Sequence, residues 1–321
     1  MKTSPPLRRF GRTGWQVSEV GLGLWGMGSW PDRDDRESAA SLRLAADLGC
    51  NFFDSAWDYG QGRSDALLGD LIAARPAQRL FAATKVPPAN FKWPAAAADA
   101  YEDVFSRDHV LDYTRRCREL LRVPTIDLLQ LHVWDDTWTA HPAFAATIAE
   151  LKESGLIRYF GLSLNRGQPW NGLRAVATGL VDAVQVVYNI FDQSAEDALF
   201  PACLEHDVAV IVRVPLDEGS LGGGLTRASR FAPDDFRARY FGAGNLERTV
   251  ERVERLRPLV PEGLTLAEMA LRFVLSNRAV STVIVGMRKE THVRANLAAG
   301  APRTLPPPLL AQLREHRYRT L

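Results

Sequence analysis

Residues 51–85, NFFDSAWDYGQGRSDALLGDLIAARPAQRLFAATK, hold two short apolar runs, NFF and LFAAT, separated by a segment with a different period. In that segment Leu67, Leu68, Leu71 and Ile72 recur at the three-to-four spacing of one helical face. A strand, a helix and a second strand in succession imply parallel neighbours, because antiparallel strands need only a tight turn between them. The unit repeats in both directions along the chain. Apolar or β-branched runs begin near Val20, Asn51, Leu80, Ile126, Leu156, Ala183, Val208 and Ser281, with helical patterns such as Leu246, Val250 and Val253 between most of them. Gly49, Gly155 and Gly179 each stand between a helical segment and a strand, where a left-handed helix cap favours a residue without Cβ.

Five of the seven intervals between those starts run 25 to 31 residues, and the other two, 46 and 73, carry insertions at 86–107 and 217–245. Eight such units predict an α/β fold, a closed (β/α)8 TIM barrel with its site at the C-terminal ends of the strands. Ahead of the first strand, LRRFGRTGWQVSEV reads as a β-hairpin turning at Arg12-Thr13-Gly14 and plugging the opposite end. The tail from Leu305 to Leu321 starts with three prolines and reads as a last surface helix. The whole chain, 1–321, is read as one domain. Gly21-Leu22-Gly23-Leu24-Trp25-Gly26 matches G-x-G-x-x-G, but a dinucleotide fingerprint must open a helix directly. Here GMGSWPDRDDRES reads on as loop, so a Rossmann domain is rejected.

Composition narrows the function. With 46% hydrophobic and 24% charged residues the chain is an ordinary globular one, and a net charge of +1 without a basic run argues against nucleic acid or an anionic membrane as partner. Cys50, Cys117 and Cys203 are odd in number and widely spaced, which predicts neither a disulfide framework nor a metal site. No stretch approaches the roughly 18 apolar residues of a membrane span, and the first residues lack an apolar signal region. These points predict a cytoplasmic protein, a monomer or small homo-oligomer, acting on a small molecule.

On the predicted rim, Asp54 ends NFFD, Tyr59 follows in SAWDYG, Lys85 ends FAATK and His132 ends LLQLH. Singly, a strand-end Asp is usually a helix cap and a lone His a core residue; four converging on one rim point to chemistry. A phenol with an ordinary pKa near 10 is a poor acid, and an ammonium such as Lys85, held charged by Asp54, is expected to lower it. A proton donor beside a cation and an imidazole suits reduction of a carbonyl, the hydride coming from a cofactor. Trp25, Trp57, Trp93, Trp134 and Trp138 follow the first four strands, which predicts an aromatic pocket mouth for the substrate, with Trp25, Trp57, Trp93 and Trp134 touching it. Asp54, Asp58, His132 and Asp135 also permit a metal-dependent hydrolase, although no H-x-H or H-E-x-x-H occurs and Lys85 would repel a cation.

The segments GRTGWQVSEVGLGLWGMG, FFDSAWDYGQGRSDALLG, ATK, IDLLQLH, VQVVYN and VIVGMRKETHVRANLAA, in this order, resemble the aldo-keto reductase superfamily over nearly the whole chain. That resemblance implies reduction of an aldehyde or ketone with NADPH, and a catalytic tetrad falling on Asp54, Tyr59, Lys85 and His132. It further implies nicotinamide contacts at Ser163, Asn165 and Gln185, and pyrophosphate contacts at Leu216, Ser220 and Leu221. Arg288, with Lys289, would pair with the adenosine 2′-phosphate, and Asn296 would hold the adenine; Gly23, Leu24, Asp54, Arg213, Gly286 and His292 complete the expected cofactor set. The chain departs from the family pattern at Leu164, which separates Ser163 from Asn165, at Arg213, where many members stack an aromatic on the nicotinamide, and at His292 and Ala295 on the adenine side. The alternative is a barrel that holds a cofactor, turns over little and regulates a partner.

Overall fold

The computed structural model describes residues 5–300 and 304–318. An antiparallel hairpin, β1 (Leu7–Phe10) and β2 (Trp15–Ser18), precedes eight parallel strands: β3 (Val20–Gly23), β4 (Phe52–Asp54), β5 (Phe81–Val86), β6 (Ile126–Leu131), β7 (Ile157–Ser163), β8 (Ala183–Val187), β9 (Ala209–Arg213) and β10 (Val280–Gly286). The eight form a closed barrel in chain order, with β10 pairing back onto β3 through Val283 and Val20. Every strand begins within two residues of its predicted start. Gly49, Gly155 and Gly179 have φ of +93°, +69° and +77°, the left-handed conformation that favours glycine.

The hairpin explains which end is open. Phe10 and Val17 pack with Phe52, Phe81, Leu128, Ala209 and Ile211 in an apolar cluster at the N-terminal ends of the strands, and the Phe10 and Phe52 rings lie 5.2 Å apart. Gly11 sits so close to β9 that an added Cβ would lie 2.5 Å from the Ala209 nitrogen, so only glycine lets the hairpin seat there. With that end filled, polar groups can reach solvent only at the C-terminal rim.

The helices bury the faces the spacing predicted, Leu68 and Leu71 in the helix Arg63–Ala73 and Leu246, Val250 and Val253 in Asn245–Leu256. The predicted last helix is Pro307–Arg314, and the final three residues of that predicted tail lie outside the described residues. One local expectation is corrected: the stretch 26–38, read as loop, is helical at both ends, in a short helix Trp25–Ser29 and in the first turn of Asp35–Asp47. The closed barrel still excludes a Rossmann sheet. Among the described residues no helix is long and apolar enough to cross a membrane.

Candidate active site

Asp54, Tyr59, Lys85 and His132, carried by three successive strands and their loops, meet at the open rim. Lys85 points inward from β5, and its Nζ donates to Asp54 Oδ2 at 2.5 Å and to the Ser55 carbonyl at 2.7 Å, and lies 3.3 Å from the Tyr59 hydroxyl. Lysine and aspartate are 0% and 1% exposed, so the pair is held in a medium where an unpartnered charge would be costly. Asp54 is satisfied on its other oxygen, Oδ1, which accepts from Gln130 Nε2 at 3.1 Å and Gln185 Nε2 at 2.8 Å. Tyr59 is set by a close backbone approach: a Cβ on Gly28 would fall 2.2 Å from the Tyr59 carbonyl oxygen.

Electrostatics correct one expectation. Burial alone would lower the Lys85 pKa, but Asp54, with Tyr59, outweighs it and holds the ammonium above its ordinary range. For Tyr59 burial is the strongest influence and pushes the phenol up; Lys85 opposes it and Asp54 adds to it, and the balance stays above the usual value rather than below it. The predicted acidification is absent because burial of the phenol, reinforced by the nearby Asp54 charge, outweighs the pull of Lys85. Burial, then Lys85 and Arg213, keeps the His132 pKa well below its ordinary value, so the ring is neutral at pH 7. Its Nδ1 is buried without a hydrogen-bond partner, and the ring stands edge-on to Tyr59 and Trp93 at 5.6 and 5.8 Å.

Asp54, Tyr59 and His132, with Lys85 buried behind them, form the floor of a cavity of about 930 Å³. Of the predicted residues, Gly23, Trp25, Asp54, Tyr59, Trp93, His132, Ser163, Gln185, Arg213, Leu216, Gly286, Arg288, Lys289 and His292 line it. Eight others do not, each for a visible reason. Lys85 is wholly buried behind Tyr59 and Asp54. Leu24 is fully buried, its amide donating to the Asp54 carbonyl at 2.9 Å. Asn165 lies past the end of β7, and its amide donates to Ala95 O at 3.1 Å and Gln168 Oε1 at 3.0 Å, which ties it to the 86–107 insertion. The Ser220 hydroxyl donates to Asp217 at 2.7 Å, and Leu221 is wholly buried. Asn296 lies one helical turn beyond His292 and is buried against the barrel.

The tryptophan rim is likewise divided. Trp134 is 0% exposed, packed on Trp138 and Phe144, and Trp57 packs edge-on against Tyr113, so both hold loops in place. Trp30 and Phe236, which the sequence reading passed over, close the aromatic wall instead: the Trp25 ring meets Trp30 at 5.1 Å and Phe236 at 4.9 Å. Asp32, Glu218 and Arg237 also line the cavity unforeseen, as does Asp58, which was weighed only as a metal ligand. Gln130 was legible, since it precedes His132 by two on a strand and pairs in register with Lys85, both marks of an inward-facing position.

The cavity offers donors for an anionic ligand. Arg213 Nε is buried and unpartnered, and burial beside Arg166 lowers that guanidinium's pKa to about 10. Its Nη2 donates to the Leu164 carbonyl at 3.0 Å. Past the end of β10, Gly286 leaves open space where a side chain would project, and Arg288 and Lys289 bring two cations to the same mouth. Among the described residues there is no group of three or more His, Cys, Asp or Glu placed to hold a metal ion, and the hydrolase alternative has no geometric support there.

Known proteins resemble this chain in sequence and in overall fold. An uncharacterised oxidoreductase of Bacillus subtilis is 27% identical over 96% of this chain and 95% of its own. The NADH-specific methylglyoxal reductase of Escherichia coli is 26% identical over 90% of this chain and 91% of its own. The solved structure of a glycerol dehydrogenase from Gluconobacter oxydans superposes with a TM-score of 0.80 at 25% identity, covering 97% of this chain and 94% of that one. Residues 19–317, which span the barrel and the rim that carries Asp54, Tyr59, Lys85 and His132, match the aldo/keto reductase family, and this oxidoreductase chain belongs to it.

Proposed function

We propose that the protein reduces an aldehyde or ketone to the alcohol with NADPH, Tyr59 supplying the proton. The observation that carries this reading is the Tyr59 hydroxyl at the cavity floor, 3.3 Å from an ammonium that Asp54 keeps charged. The bound nicotinamide would supply the hydride. Negative charge then grows on the carbonyl oxygen, and a proton donor within hydrogen-bond reach removes it. Lys85 stabilises the tyrosinate left behind, and Asp54, with Gln130 and Gln185, holds Lys85 in place. Neutral His132, which lines the cavity edge-on to Tyr59, orients the carbonyl oxygen. Gln185 and Ser163 face the cavity where the nicotinamide amide would lie, and Arg288 and Lys289 would receive the 2′-phosphate. Trp25 and Trp93 form apolar walls, which favours aromatic or moderately apolar carbonyl substrates.

The test is loss of NADPH absorbance against a panel of aromatic aldehydes, aldoses and small ketones. Turnover with at least one class is the expected result. Cofactor binding without turnover on every carbonyl would move the reading to a regulatory barrel.

The pH profile follows from the two shifted groups. The acid must be protonated to act, and burial raises its pKa, so reduction should hold its rate through neutral pH and fall only above about 10. Oxidation of the alcohol needs the tyrosinate and should rise with pH over the same range. Because His132 stays neutral well below its ordinary value, kcat should show no step near about 6.5. A descending limb centred there would remove His132 from the neutral role.

Arg213 adds a cofactor preference. A guanidinium against the nicotinamide is disfavoured once the ring is oxidised and positive. Arg213→Tyr should therefore lower the ratio of NADPH to NADP+ affinity, measured by titration of each form.

A further inference from the structure

Arg288 is already neutralised. Its Nη1 donates to Asp32 Oδ1 at 2.6 Å and to the Asp32 carbonyl at 3.0 Å, and its Nη2 lies 3.2 Å from Oδ2. The carboxylate thus takes both prongs of the guanidinium in the forked geometry that a phosphate would use. The segment that carries it is braced: the Arg237 and Arg288 guanidinium carbons lie 4.5 and 5.9 Å from the centroid of Trp30, two residues before Asp32, and Trp30 packs on Trp25. Asp32 and Arg288 both line the cavity, and the aspartate side chain is 70% exposed while the arginine side chain is only 18% exposed.

We propose that Asp32 is a built-in competitor for the 2′-phosphate of NADPH, and that it narrows the preference of this protein for NADPH over NADH. This rests on the reading that the adenosine end of the cofactor lies at Arg288. A 2′-phosphate must displace the Asp32 carboxylate and then remain near it, whereas NADH, which carries a hydroxyl there, leaves the pair intact. The chain holds its own negative charge on the residue that reads the phosphate, so the discrimination is weaker than two cations alone would give.

The experiment is equilibrium titration with NADPH and with NADH, read by quenching of tryptophan fluorescence, for wild type, Asp32→Asn, Asp35→Asn and Arg288→Ala. Asparagine keeps the size of Asp32 and its backbone contact with Arg288, removing only the charge. Asp32→Asn should tighten NADPH by about three- to tenfold at low salt and less at high salt, as screening of an exposed pair requires. NADH affinity should stay within about twofold. Asp35→Asn removes the same charge from a residue paired with Arg63, and should change neither.

Unchanged NADPH affinity in Asp32→Asn, alongside selective loss of NADPH binding in Arg288→Ala, overturns the competitor while leaving the phosphate at Arg288. An equal gain in Asp35→Asn assigns the effect to the general field and also overturns it. Equal weakening of both cofactors in Arg288→Ala removes the phosphate from this end, and both readings fall together.

Discussion

Tyr59→Phe lowers carbonyl turnover by about two to four orders of magnitude, the usual contribution of a positioned general acid. The variant should fold as wild type does, because Lys85 keeps its bonds to Asp54 and the Ser55 carbonyl when the phenol is gone. NADPH affinity should also be retained, since the hydroxyl lies at the reacting end of the cavity and not at the cations past β10. The measurement pairs steady-state turnover with NADPH titration of the same preparation. Turnover near wild type would take the proton-donor role from Tyr59; a parallel loss of NADPH binding would show that the phenol holds the cofactor instead.

Lys85→Met has the second large effect, on stability as well as on rate. It leaves the Asp54 carboxylate buried with only the Gln130 and Gln185 amides to solvate it. Breaking a buried pair from one side costs about 3–5 kcal/mol. At roughly 2 °C per kcal/mol for a protein of this size, the melting temperature should fall by about 6–10 °C. The double variant Lys85→Met/Asp54→Asn should recover part of that loss, because neither charge is then left alone, while its turnover stays low. Melting curves of wild type, single and double variants make the comparison, and a Lys85→Met protein as stable as wild type would show that the pair is not held in a low-dielectric interior.

The architecture was legible because it repeats. Most positions of the barrel strands are buried and read as largely apolar runs, and each covering helix buries one stripe, so two periods alternating eight times leave little choice of fold. The four polar residues at the floor were legible for the same reason: they sit at strand ends, where strand direction alone decides which rim they reach. Gln130 shows that the same rule, applied two residues back along β6, extends further than the reading took it.

The loops obeyed no such rule. Trp25 and Trp93 line the cavity while Trp57 and Trp134, equally placed after their strands, pack inward, because a side chain on a loop turns toward whichever neighbours offer the larger apolar contact. Trp30, Asp32, Phe236 and Arg237 come together from two segments about two hundred residues apart, a convergence without periodic signature.

By itself, the sequence determined the eight-fold barrel, the plugged end, the open rim and the polar residues that meet there, since all of these follow from local period and strand polarity. Only the tertiary structure decided the direction of the Tyr59 shift, the withdrawal of Asn165 to the 86–107 insertion and the pairing of Asp32 with Arg288. Each of those is set by distances between groups remote in the chain, where burial and Coulomb interaction compete and the winner depends on a few ångströms.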